Sequence, residues 1–138
     1  MDERENVRVA KASFDRCSAA AGFMAGFYEQ FFAACPDAKP LFAKTDLARQ
    51  TRLLRDAIGL LLIAPFMSTG PDAAPTVLSR IADRHSRHNL NIEPRFYPPF
   101  VESLLATVRQ FDPEYSPVVE TAWRSTIATG VAYMQSRY

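Results

Sequence analysis

The 138 residues suit one ordinary domain with a single core, and a hydrophobic content of 48% argues against a disordered chain. Sixteen basic residues against 15 acidic ones leave a formal charge of +1, which gives no footprint for nucleic acid or an anionic membrane. The N-terminal MDERENVRVAK has no apolar core of a signal peptide, and the most apolar stretch, 57–67, is too short to span a bilayer and contains Gly59 and Pro65. A cytoplasmic protein with no membrane partner is expected. Cys17 and Cys35 read as two thiols rather than a disulfide scaffold, with a bridge between them left open.

No sustained strand alternation, glycine-rich phosphate loop or internal repeat is present; apolar residues recur instead every three or four positions, the spacing of a helical face. The first segment carries Val7, Ala10, Phe14 and Cys17. A second carries Ala20, Met24, Phe27, Tyr28 and Phe31 and stops at Cys35-Pro36. A short turn from Pro36 to Phe42 follows, where Pro40 disfavours a long helix. Thr45 or Asp46 can cap the next helix, which runs to about Ile63 with Leu47, Gln50, Leu54, Ala57 or Ile58, and Leu61 on one stripe. After the breaker-rich APFMSTGPDAAP, Pro75 can open a helix bearing Val77, Leu78, Ile81 and Ala82.

Beyond HNLNIEP comes a long helix with Phe96, Phe100, Leu104 and Phe111, its regular bonding delayed or bent by Pro98 and Pro99. Asp112-Pro113 is read as the start of a last helix, with Val119, Trp123, Ile127 and Met134 on one face. The expectation is an all-α single domain over 1–138, six main helices and a short turn, without the regular lengths of an up-down bundle.

Polar residues on apolar stripes carry the chemistry. Gln50 lies mid-stripe, where an unpartnered amide costs about 1–3 kcal/mol, and on this helix alone a backbone partner or a wet stripe edge is the favoured explanation. His85 ends the stripe Leu78, Ile81, Ala82. A lone histidine there is more often a satisfied core residue than a ligand. His88 makes HSRH a weak metal pair, because no cysteine or third histidine completes a tetrahedral site. A porphyrin would need only one protein ligand, since it supplies four nitrogens itself. Tyr28 stands in the aromatic run FMAGFYEQFF, where a buried ring with a wet hydroxyl is the ordinary reading.

Over nearly its whole length the chain resembles a globin. FYEQFFAACPDAKPLF resembles the run from the second helix to a haem-stacking phenylalanine, which implies Phe42 against the ring and Tyr28 on the gas side. QTRLLRDAIG is similar to the distal helix of bacterial single-domain globins, implying Gln50 as gate residue and Leu54 one turn later. IADRHSRHNLNIEPRFY resembles the proximal segment of globins and globin oxygen sensors, implying His85 as iron ligand with Ile81 beneath the haem. His88 as ligand would lose the basic-His-x-Arg context; it fits the haem edge better. The same resemblance extends the cofactor site to Leu90, Phe96 and Tyr97. VVETAWRSTIATGVAYM is similar to the last helix, with Trp123 in the family's tryptophan position.

The resemblance implies haem b (iron protoporphyrin IX) and the diatomic gases oxygen, carbon monoxide or nitric oxide, held for storage, transport or sensing. Flavohaemoglobins carry a reductase domain and a late acid in the last helix; here that helix ends MQSRY. Nitric oxide detoxification would therefore call on a separate reductase. The contrasting reading is a haem-free, globin-like signalling or interaction module. No long heptad repeat is visible, so a monomer or weak dimer is expected.

Overall fold

The computed structural model describes residues 1–67 and 76–138. Six α-helices and three short 3-10 turns account for its regular structure, with no strand among the described residues. No described helix is long and apolar enough to cross a membrane.

Helix α1, Glu3–Ser18, starts where the Asp2 carboxylate accepts the Glu5 amide, with acids in its first turn and Arg16 in its last, as the helix dipole favours. Its buried face is Val7, Ala10, Ser13, Phe14 and Cys17. The chain leaves it through Gly22 at φ 88°, a conformation glycine adopts without strain. Helix α2, Phe23–Ala34, buries Phe23, Met24, Phe27, Tyr28 and Phe31, and ends before Pro36. The turn foreseen at Pro36–Phe42 is a 3-10 helix.

Asp46, rather than Thr45, caps α3, Leu47–Ile63, taking the amides of Ala48 and Arg49. Leu47 faces solvent at 54% exposure, so the apolar part of the expected stripe starts only at half-buried Leu54, about two turns later. A 3-10 turn, Ala64–Phe66, follows. Pro75 lies outside the described residues. Helix α4, Val77–His85, opens on a reciprocal cap in which Thr76 and Ser79 each satisfy the other's amide.

The 3-10 turn Pro94–Phe96 leads into α5, Tyr97–Phe111, whose Pro98 and Pro99 sit in the first turn, where no intrahelical donor is lost. The last helix, α6, is Pro117–Ser136 and starts later than Asp112-Pro113 implied. Ser116 caps it by accepting the Val119 amide, and Pro117 opens it. Asp112 instead ends α5 and turns its carboxylate inward.

Helix α1 lies along α6, α2 along α5, and α3 rests on α6. That last approach is close. A Cβ at Gly130 would stand 2.6 Å from Leu61 Cδ2 and 3.4 Å from Leu61 Cα. Trp123, fully buried, donates from Nε1 to Ser13 Oγ at 2.9 Å. Ser13 in turn donates to Asp112, which holds Arg16 through two bonds of 2.7 and 2.9 Å. This buried polar cluster ties α1, the end of α5 and α6 together.

Candidate functional site

The last turn of α4 brings His85 to a half-buried position. Its Nδ1 lies 2.7 Å from the Ile81 carbonyl, so this nitrogen carries the proton and donates. Desolvation lowers the ring's pKa below its ordinary value; the Ile81 carbonyl opposes this and nearby Arg84 adds to it. The ring is therefore a neutral imidazole whose Nε2 lone pair makes no hydrogen bond to the described residues. That is the form in which histidine binds a metal. His88 lies beyond the end of α4 and is exposed. Among the described residues, no group of three His, Cys, Asp or Glu side chains could hold a metal ion by itself.

Tyr28 is buried at 5% exposure, and its hydroxyl finds no hydrogen-bond partner among the described residues. Burial pushes its pKa up, with Thr51 close enough to pull the other way. That proximity does not amount to a bond, although the Thr51 hydroxyl, which donates to the Leu47 carbonyl at 2.8 Å, keeps lone pairs able to accept. The Tyr28 ring meets Phe42 edge-on at 5.8 Å and Phe32 in a stack at 5.7 Å, so helix α2 and the following turn form one aromatic corner. Gln50 and Leu54, one turn apart on α3, are both half-buried, and the Gln50 amide makes no side-chain hydrogen bond to the described residues.

The residues expected to line the cofactor divide. Phe42, Leu54, Ile81 and Tyr97 are partly buried and lean on the core. Burial alone raises the Tyr97 hydroxyl to about 12. Phe96 is core-buried at 5%, with the Arg95 guanidinium 4.2 Å over its ring. Leu90 is 51% exposed, and its amide donates to the Arg84 carbonyl at 3.0 Å. Tyr28 and Phe42 are in direct contact, whereas no hydrogen bond links His85 to either.

Two neighbours escaped the sequence reading. Thr51 beside Tyr28 carries no signal, because threonine on a helix is ordinary. Ile92 is half-buried, and its amide donates to the His85 carbonyl at 2.8 Å. Both cysteines are free thiols; burial lifts Cys17 to about 12, which makes it unreactive.

The Globin family model matches residues 25–134. The chain belongs to the globin family. A solved structure from Pseudomonas aeruginosa PAO1, described as structurally highly homologous to a human haemoglobin, superposes with a TM-score of 0.88. It is 32% identical, over 96% of this chain and 98% of that one. No curated protein matches this globin.

Proposed function

We propose that this globin holds haem b through His85 and takes a diatomic gas, oxygen first among them, on the side of Tyr28 and Gln50. The observation that carries the reading is His85 itself: neutral, with Nδ1 engaged by Ile81 and Nε2 unspent. The unpartnered Tyr28 hydroxyl supports the gas side. When bound, haem would supply an iron able to take up a diatomic gas. His85 Nε2 would be the protein's ligand, and the Nδ1 bond fixes the ring's direction and raises its basicity.

Tyr28 offers one hydroxyl hydrogen and Gln50 two amide hydrogens to a polar ligand. Donors held in a low-dielectric pocket stabilise charge far more than the same groups in water. Phe42, Leu54 and Ile81 exclude water, and Leu90, Phe96 and Tyr97 complete the wall in this reading. His88 serves the haem edge, near a propionate. Oxygen, carbon monoxide and nitric oxide are the partners this chemistry fits. Nitric oxide detoxification would add a separate reductase as electron donor. We place the protein in the cytoplasm as a monomer or weak dimer.

The test is haem uptake by the purified protein. Wild type and His88→Ala should show a Soret band that shifts with carbon monoxide, and His85→Ala should not incorporate haem normally. The opposite pattern for the two histidines would move the ligand from the end of α4 into the turn that follows it. A wild-type protein that takes up no haem would point to a haem-free interaction module.

A further inference from the structure

Helix α4 is only nine residues long, shorter than a helix that holds itself together in water. The chain beyond it folds back to close its last turn. The amides of Leu90, Asn91 and Ile92 donate to the carbonyls of Arg84, Ser86 and His85 at 3.0, 2.8 and 2.8 Å. The Asn89 side chain donates to the Asp83 carbonyl at 2.8 Å. Asn91 makes this reversal at φ 53°, a region asparagine tolerates better than most residues. The carbonyls that any helix leaves open at its end are thus satisfied here by 89–92, and the His85 carbonyl is one of them.

That loop is held in turn from the end of α6. Arg137 Nε and Nη2 both donate to Asp83 Oδ1, at 3.0 and 2.6 Å. The Arg87 amide and Nε donate to the Tyr138 carbonyl at 2.9 and 3.3 Å, and the Arg87 guanidinium lies 4.8 Å from the centre of the Tyr138 ring. The Tyr138 hydroxyl donates to Asn91 Oδ1. Two consecutive residues therefore grip three positions, Asp83, Arg87 and Asn91, which bracket His85. A lone exposed ion pair contributes little, but these contacts converge on one short loop whose order decides whether the last turn of α4 stays closed.

We propose that Arg137 and Tyr138 form a latch that positions His85, and so tunes gas affinity from the end of α6. This rests on the reading of His85 as haem ligand. With the latch closed, residues 89–92 cap α4 and the Nδ1–Ile81 bond keeps the ring in one orientation. With it open, the last turn frays and Nε2 loses its fixed direction.

Hydrogen exchange of the haem-free protein tests the latch directly, and resonance Raman of the ferrous haem-loaded protein tests its effect on His85. In Arg137→Gln/Tyr138→Phe, exchange across 88–92 should rise at least tenfold while α1, α2 and α5 stay unchanged. The iron–histidine stretching band should shift or broaden, and Arg137→Lys should retain most of the wild-type band. Asn91→Gly keeps the backbone turn but removes the acceptor for Tyr138, so it should show a smaller effect of the same kind. Should the double variant fail to fold, Tyr138→Phe and Asn91→Gly carry the same comparison singly.

Unchanged exchange at 88–92 overturns the latch, whatever the haem does. Faster exchange with an unaltered iron–histidine band overturns the positioning role, as does a uniform rise in every helix. Failure of the haem reading itself would show separately, as a wild-type protein that takes up no haem while its haem-free exchange still reports on the loop.

Discussion

At Tyr28 the fold bears a cost that its own contacts do not repay. A buried hydroxyl without a partner is destabilising by about 1–3 kcal/mol, and Tyr28→Phe removes it while keeping the ring against Phe42 and Phe32. We expect the haem-free variant to be about 1 kcal/mol more stable in denaturant melts. The haem-loaded variant should release oxygen roughly tenfold to a hundredfold faster, because a hydrogen bond to a charge-bearing ligand is worth about 1.5–3 kcal/mol. Carbon monoxide, less polar, should change little. An unchanged oxygen rate in stopped flow would take the hydroxyl off the gas side; a destabilised haem-free variant would mean that Thr51 is its partner after all. Gln50→Leu should act in the same direction but less, since a half-buried amide can swing toward water, and the pair need not add. Tyr28, Gln50 and His85 stood out in the sequence because each interrupts an apolar stripe. Their protonation and bonding did not. Only the folded arrangement shows that the Ile81 carbonyl accepts from His85 Nδ1 and that no described residue accepts from the Tyr28 hydroxyl.

Among the elements, the α3–α6 contact depends on an absent side chain. A Cβ at position 130 would stand 2.6 Å from Leu61 Cδ2 and 3.3 Å from Ala64 Cβ, so Gly130→Ala forces Leu61 off its rotamer or the helices apart. Overpacking of this kind costs about 1–3 kcal/mol. Leu61→Ala should itself destabilise by leaving a cavity, yet the double variant should lose less than the sum of the two, since each change makes room for the other. Simple additivity in denaturant midpoints would show that the two residues do not meet. Helix lengths and most buried faces follow from periodicity: the third helix ends at Ile63 as read, and the 3-10 turn covers Pro36–Phe42. The misreadings fell where local signals compete. Asp112-Pro113 looks like a cap followed by a first-turn proline, but Ser116-Pro117 offers the same pair four residues later and has the capping bond. Leu47 matches the stripe's spacing yet occupies the first residue of α3, and it faces solvent.

For the molecule as a whole, one buried charge joins elements that the sequence sets far apart. Asp112 accepts from Ser13, 99 residues away, and from Arg16, while Trp123 of α6 donates to the same Ser13 hydroxyl. No periodicity announces such a cluster; a serine on the inner face of α1 was its single trace. Burial by itself would push the Asp112 carboxyl up. The bonds from Arg16, Ser13 and the Glu114 amide outweigh it together and hold the group below its ordinary 3.8. A carboxylate with a depressed folded pKa contributes its full stability above the unfolded value and loses it as pH falls through the folded one. Asp112→Asn leaves Arg16, whose side chain is 25% exposed, without its counter-charge. Breaking a buried pair costs about 3–5 kcal/mol, and the partial exposure of Arg16 puts this one near the low end. Urea midpoints should therefore separate wild type from Asp112→Asn by about 3 kcal/mol near neutral pH. The gap should close as the wild-type carboxyl protonates below its ordinary 3.8, because both proteins then present a neutral group to Arg16. A gap that stays constant down through that range would show that the shape of the side chain, and not its charge, holds the ends of the three helices together.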